Sequence, residues 1–161
     1  MNIRTVTPSD ISPLVDLYND YIRHTTITFE LSPIDGAEMQ QRVTAKLAHH
    51  DWLVAEVDGQ VVGYAYYGAF HSRAAYRHTV EVSIYLAPAH QGKGYGKALY
   101  RALLASAQAK GFREAIALIA LPNPASIALH HKLGFEETGV LRQVGYKLDR
   151  YIDVSLWQKS L

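Results

Sequence analysis

His90-Gln91-Gly92-Lys93-Gly94-Tyr95-Gly96-Lys97 stands between an alternating apolar run, Val80 to Leu86, and a helix-patterned run, Ala98 to Ala109. Alternation predicts a strand, and the run after the glycines predicts a helix ending near Lys110-Gly111, with lysine suited to the helix dipole and glycine to a left-handed cap. A strand that ends in a glycine-rich turn and opens a helix offers several backbone N–H groups at the positive end of the helix dipole, which is phosphate-binding chemistry. Gln91, Gly94 and Gly96 form the pattern Gln-x-x-Gly-x-Gly. This is neither the dinucleotide fingerprint Gly-x-Gly-x-x-Gly nor a nucleotide P-loop, which ends in Gly-Lys-Ser/Thr.

The chain has 161 residues, 48% of them hydrophobic, enough for one well-filled core and too few for two ordinary domains. A single domain over residues 1–161 is expected. Sixteen Lys and Arg against fifteen Asp and Glu leave no field that would draw the protein to nucleic acid or to an anionic membrane. There is no cysteine, so a disulfide framework and a thiolate nucleophile are both excluded. Neither a signal peptide nor a membrane-spanning run is visible, and the expectation is a soluble cytoplasmic protein.

Working outward, Ile3 to Val6 reads as a strand, and Thr7-Pro8-Ser9-Asp10 opens a helix carrying Ile11, Leu14, Tyr18, Tyr21 and Ile22. Ser32 as cap, Pro33 in the first turn and Asp35 three residues after the cap predict a second helix, ending near His49-His50. Trp52 to Val57 and Val61 to Tyr67 flank Asp58-Gly59-Gln60 as a hairpin. In the strand from Thr79, the residues Val80, Val82, Ile84 and Leu86 share one face, while Glu81, Ser83 and Tyr85 share the other. The continuous apolar run Ala115 to Leu121 predicts a strand buried on both faces. Asn123 as cap and Pro124 as first residue predict a short helix ending at Leu133-Gly134, followed by strands Phe135 to Leu141 and Tyr151 to Trp157.

This order of elements resembles the GNAT superfamily of acyl-CoA-dependent N-acyltransferases, an α/β fold with a mixed central sheet flanked by helices. The resemblance covers essentially the whole chain and rests on two motifs. One is the glycine turn; the other is an Asn-led helix ending in Gly-Phe, carried by Asn123, Ser126, Ile127, Leu129, His130, Lys132, Gly134 and Phe135. Within the superfamily the chain is similar to the branch that acetylates phosphinothricin and methionine sulfoximine. The marks are Thr79-Val80-Glu81, Leu129-His130, Val144-Gly145-Tyr146-Lys147, Asp153 and Trp157.

The resemblance implies attack of a neutral amine on the thioester of acetyl-CoA, through a tetrahedral oxyanion that collapses to amide and CoA thiolate, in a homodimer. Backbone N–H groups from Gly92, Lys93, Gly94, Tyr95, Gly96 and Lys97 would hold the pyrophosphate, with the two lysines adding charge. The backbone of Ile84, Tyr85 and Leu86 would pair with the pantetheine arm and face the oxyanion, and Asn123 and Ser126 would add contacts from the next element. Glu81 matches the position of the family's base. An ordinary glutamate, with a pKa of about 4.3, is a weak base, so burial is expected to raise it. His130 stands where many members carry a tyrosine that protonates the thiolate; imidazole would donate that proton or merely bond the sulfur. Arg73, Ala74, Ala75, Tyr76 and Arg77 match the family's substrate segment, where arginine suits a carboxylate or phosphinate. Phe29 matches a position lining the acceptor cleft.

Plainer readings stand beside these. Glu81 is also consistent with a salt-bridged strand residue, and Arg73 and Arg77 with a solvated loop. The eight histidines show no metal-ligand spacing, so no metal is expected. The eleven tyrosines lack the basic stripe of a nucleic-acid binder. Two rivals remain: acetylation of another small amine or a peptide N-terminus, and a non-catalytic acyl-CoA-binding module.

Overall fold

The computed structural model describes residues 1–161. The strands are β1 (Asn2–Thr5), β2 (Trp52–Val57), β3 (Gln60–Ala69), β4 (Thr79–Leu86), β5 (Glu114–Ala120), β6 (Glu136–Lys147) and β7 (Arg150–Ser160). The helices are α1 (Ile11–His24), α2 (Gly36–Leu47), α3 (Tyr95–Ala109) and α4 (Pro124–Lys132). All strands join one sheet in the order β1-β2-β3-β4-β5-β7-β6. Every pairing is antiparallel except β4 with β5, whose connection passes through α3 as a parallel crossover requires.

Two apolar clusters sandwich this sheet. Leu99, Tyr100, Leu103 and Ala107 of α3 pack on Val80, Val82, Ala115 and Ala117, while Leu14, Tyr18 and Ile22 of α1 and Met39 and Val43 of α2 pack on Trp52, Val54 and Tyr64. The period-two alternation of β4 therefore sends Val80 and Val82 to the α3 side and Tyr85 to the α1 side.

The sheet is weakest at its middle. The β4–β5 register contains only Thr79–Glu114, Val80–Ala115 and Glu81–Ile116. Beyond Glu81, β4 stays paired with β3 as far as Leu86, while β5 stays paired with β7 as far as Ala120. The two strands therefore part, and half the backbone polar groups of Val82 to Leu86 point into the opening rather than at a neighbouring strand.

Three expectations need correction. Helix α2 starts after Asp35, which is extended (φ −99°, ψ 178°) and accepts the Glu38 N–H at 2.9 Å, so Asp35 is the cap and Ser32 and Pro33 precede the helix. Strand β5 is not buried on both faces: Leu118 is 43% exposed because the strands have parted there. Strand β6 continues past Leu141 to Lys147 through a bulge between Leu141 and Gly145, where Gln143 has φ +54° and its N–H donates to Asp153 Oδ1 at 2.8 Å. The β6–β7 turn places Leu148 and Asp149 at φ +52° and +58°, the twist a two-residue hairpin needs.

Leu103 is fully buried between α3 and the sheet. Leu103→Ala should reduce stability by about 2–5 kcal/mol in urea unfolding, whereas Leu118→Ala, at the opening, should have a much smaller effect.

Candidate active site

The parting of β4 and β5 creates the site. A cavity of about 60 Å³ lies between Val82 to Tyr85 on one strand and Ala117 to Ala120 on the other, closed by Asn123, Ser126 and His130. It shares Ile27, Ile84, Asn123 and Ser126 with a groove of about 410 Å³ that runs to Gly92, Gly94, Gly96 and Lys97. Residues from both sequence motifs thus line one continuous channel.

At the groove's outer end, Gly92 and Gly94 have φ of +74° and +83°, a conformation that other residues adopt at a cost, and Gly94 caps α3. A Cβ on Gly96 would lie 3.8–3.9 Å from Leu129, Ile84 and Leu86, so its hydrogen leaves a flat opening walled by three aliphatic side chains. Gln91 donates to the Tyr21 hydroxyl at 3.1 Å, and Tyr21 donates to the Leu86 carbonyl at 2.6 Å. The motif glutamine therefore ties the turn to the end of β4 through α1. Tyr21 carries no motif signal and was not legible from local sequence.

The predicted cofactor residues separate into two groups. Ile84, Leu86, Gly92, Gly94, Gly96, Lys97, Asn123 and Ser126 line the groove. Tyr85, Lys93 and Tyr95 contribute no side chain to it: the Tyr85 ring packs on Tyr18 and Tyr64, Lys93 is exposed, and Tyr95 packs toward the α3 core and stacks on His90. The second groove cation is Lys132, at the end of α4, which the sequence places in the second motif without marking it as a cofactor contact.

Asn123 caps α4 by accepting the Ser126 N–H at 3.2 Å. Along that helix His130, one turn after Ser126, is only 3% exposed. The Ser126 carbonyl is an acceptor only, so at 2.7 Å it takes the Nδ1 proton, and Nε2 then accepts from the Tyr100 hydroxyl at 3.0 Å. Burial lowers the imidazole pKa, opposed by the Ser126 carbonyl, so the ring is neutral at neutral pH. Both nitrogens are engaged. The expectation of a His130 N–H free to protonate a thiolate is corrected: its one proton is held by the helix backbone.

Glu81 lies on the α1 face at the last paired position before the opening. It makes no ion pair and no side-chain hydrogen bond. Burial raises its pKa, and the Lys46 and His71 charges pull the other way.

The predicted acceptor residues are less gathered. Arg73 through Arg77 form an exposed turn, with Ala74–Tyr76 as one turn of 3₁₀ helix and Tyr76 packed on Phe70 and His71. Neither arginine has an ion-pair partner, and none of the five residues lines the groove. Phe29 stands in the segment between α1 and α2, where its ring lies so close over Gly145 that a Cβ there would collide with it. The same segment is tied to the β6–β7 hairpin by Lys147, whose buried ammonium donates to the Thr28 carbonyl at 2.8 Å, and by Arg150, which donates to Thr26 Oγ1 at 2.9 Å. This latch was not predicted, since its partners are more than a hundred residues apart in sequence.

Residues 14–135 match the model of the Acetyltransferase (GNAT) family, and the chain belongs to that family. It is 40% identical over 160 residues to a phosphinothricin N-acetyltransferase of Streptomyces viridochromogenes, spanning 99% of this chain and 87% of that protein. It is 37% identical over 162 residues to an L-methionine sulfoximine/L-methionine sulfone acetyltransferase of Salmonella typhimurium, spanning 100% and 95%. A GNAT phosphinothricin acetyltransferase from Sinorhizobium meliloti, solved in complex with acetyl-CoA, superposes with TM-score 0.97 at 39% identity, covering 99% and 88% of the two chains. A ribosomal-protein-alanine N-acetyltransferase from Brucella melitensis superposes equally well, with TM-score 0.97, 38% identity and full coverage of both chains. The protein is an acetyl-CoA-dependent N-acetyltransferase, and the glycine cradle, the unpaired edge of β4 and the cations Lys97 and Lys132 suit that co-substrate.

Gly96→Val should place its methyl groups in the opening between Ile84, Leu86 and Leu129 that the co-substrate needs, weakening acetyl-CoA binding roughly tenfold or more by calorimetry. The thermal midpoint without ligand should move little.

Proposed function

We propose that the protein acetylates the α-amino group of a small amino acid analogue of the phosphinothricin or methionine sulfoximine kind, as one GNAT domain over residues 1–161. The observation that carries this reading is a half-buried, unpaired carboxylate, Glu81, at the last position where β4 pairs with β5 before the two strands part, in a chain 37–40% identical to two acetyltransferases named for these substrates. Resistance to such inhibitors of amino acid metabolism is the corresponding physiological role.

When bound, acetyl-CoA supplies the acetyl thioester. The first turn of α3, with Gly92 to Lys97, holds its pyrophosphate, and the free edge of Ile84 to Leu86 aligns its arm and offers an N–H to the carbonyl oxygen. Glu81 takes the proton of the incoming ammonium, directly or through water; its raised pKa fits it better to that task than an ordinary glutamate. His130 acts as a positioning residue that fixes Ser126 and Tyr100 at the cavity wall. Phe29 supplies an apolar wall for the acceptor, and Arg73 and Arg77, free of ion pairs, supply the charge for its carboxylate.

The active form is a homodimer in the cytoplasm. Edge strand β6 and its hairpin expose Val140, Leu141, Val144, Tyr146, Leu148 and Tyr151, an apolar band that an edge strand in a monomer ordinarily avoids. No helix is long and apolar enough to cross a membrane, and a co-substrate made inside the cell sets the compartment. Sedimentation should give twice the 18.0 kDa chain mass, and Tyr151→Asp with Leu141→Asp should give the monomer.

Thiol release from acetyl-CoA tests the substrate reading, and the absence of cysteine keeps the protein silent to the reagent. Methionine sulfoximine and phosphinothricin should release thiol, while glutamate and a simple alkylamine should not. Preference for an alanine-started peptide would favour the ribosomal-protein relationship instead.

Glu81→Gln should lower turnover by about 10² or more near neutral pH while leaving acetyl-CoA affinity nearly unchanged. Because the base acts when deprotonated, wild-type turnover should rise with pH through a pKa above the ordinary carboxylate range, and the variant should lose that limb. The stability effect has the opposite sense. A folded-state pKa above the unfolded value gives stability that is present at low pH and lost as pH rises through the folded pKa. Glu81→Gln should therefore melt at or above the wild-type temperature near neutral pH; a lower melting temperature would mark Glu81 as structural.

A further inference from the structure

Glu81 lines neither the cavity between β4 and β5 nor the acyl-CoA groove. Ser83, two residues further along β4 and half-buried, does line the cavity. Because strand side chains alternate, both residues face the α1 side, as Tyr85 does after them. Their Cα atoms stand about 7 Å apart, two strand residues on. Strand side chains lean along the strand, so a glutamate and a serine close that span to one hydrogen bond or one water. A hydroxyl therefore stands between the carboxylate and the place where the thioester lies.

Register sets the neighbours of this pair. Across β3–β4, Gly68 pairs with Glu81 and Tyr66 with Ser83, so the four residues share one surface. The Lys46 ammonium, from α2, fills the place of the missing Gly68 side chain. Lys46 and His71 are the cations that act on Glu81, and neither forms an ion pair with it. Tyr66 is held by Trp52, which stacks on it at 4.2 Å and 14° and on Tyr64 at 5.4 Å and 16°, an aromatic stack under α2. The Tyr66 phenol faces the Ser83 hydroxyl and lies in the field of Glu81. Burial pushes the phenol's pKa up, against the pull of the Ser83 hydroxyl, so the phenol stays protonated and can donate to Ser83 Oγ.

A carboxylate set back from the cavity, a hydroxyl on the cavity wall and a phenol that orients the hydroxyl define a proton path. We propose that Ser83 is a second catalytic residue, the group through which Glu81 deprotonates the acceptor. A serine hydroxyl has two lone pairs and one proton. Tyr66 donates to one lone pair, the acceptor ammonium donates to the other, and the serine proton points to Glu81. As the ammonium N–H bond breaks, its proton bonds to Ser83 Oγ while the serine's own proton passes to a Glu81 carboxylate oxygen. The nitrogen keeps the electron pair with which it attacks the thioester, Glu81 becomes neutral, and Ser83 ends unchanged. The proposal rests on Glu81 as the base and holds for any small amine acceptor.

Thiol release at saturating acetyl-CoA and methionine sulfoximine, on the full chain and its variants, tests the path. Ser83→Ala should lower kcat about tenfold or more, with acetyl-CoA affinity by calorimetry within about twofold of wild type. Ser83→Thr keeps the hydroxyl on a residue suited to a strand, and should restore kcat to within about threefold. The double variant separates a relay from an independent contact, because groups that act as a unit are not additive. Ser83→Ala should cost less than about twofold on top of Glu81→Gln. An undiminished loss in the Glu81→Gln background would overturn the proposal by making the hydroxyl a contact of its own. Acetyl-CoA affinity that falls as far as kcat would overturn it by marking Ser83 as structural. Wild-type kcat in Ser83→Ala beside a disabled Glu81→Gln would overturn the relay alone, whereas wild-type kcat in Glu81→Gln would remove the base and the relay together.

Discussion

Everything that matters chemically follows from the end of one strand pairing. After Glu81 and Ile116 the parallel ladder between β4 and β5 stops, although each strand continues on its other side. A sheet interior normally consumes every backbone donor and acceptor, and here a row of them is left at the centre of the protein, beside apolar walls. Extended backbone of this kind is best satisfied by another extended chain with amide groups, and the arm of acetyl-CoA is such a chain. The glycine turn, the α3 dipole and Lys97 then need only stand where β4 ends, and Gln91 and Tyr21 hold them there.

The second constraint is how the acceptor side is held. The segment between α1 and α2 has little regular structure, and its position is set by polar bonds to distant elements. Lys147 reaches Thr28, Arg150 reaches Thr26, Tyr18 bonds both Thr28 and Glu30, and Asn19 makes paired bonds with the backbone of Ile34. Burying an ammonium such as Lys147 is unfavourable in itself, and its lowered pKa reflects that burial. The compensation is a fixed place for Phe29, whose ring occupies the space that Gly145 leaves open.

Glu81 illustrates a related tension. A carboxylate half-buried without a partner weakens the fold when ionised, and the same desolvation makes it a better base. Nearby Lys46 limits the shift without forming an ion pair that would cancel it. His130 shows the reverse case: a histidine fully satisfied by Tyr100 and the α4 backbone, rigid because both its nitrogens are occupied.

Much of this was legible in the chain. The exact bounds of β4, the caps of α3 and α4, the hairpin at Asp58-Gly59 and the facing of Val80, Val82 and Glu81 follow from local rules, namely period, turn chemistry and capping, which act within a few residues. The two motifs marked the groove because glycine and asparagine are needed there for backbone reasons that sequence records directly. What local rules could not reach was decided by tertiary structure. The parting of β4 from β5, the exposure of Leu118, the engagement of both His130 nitrogens, the side on which Tyr85 and Tyr95 pack, the Lys147 latch and the aromatic stack under α2 all depend on residues far apart in sequence. Their positions are set by packing and long-range hydrogen bonds, and no periodicity within a single segment encodes which distant surface it will meet.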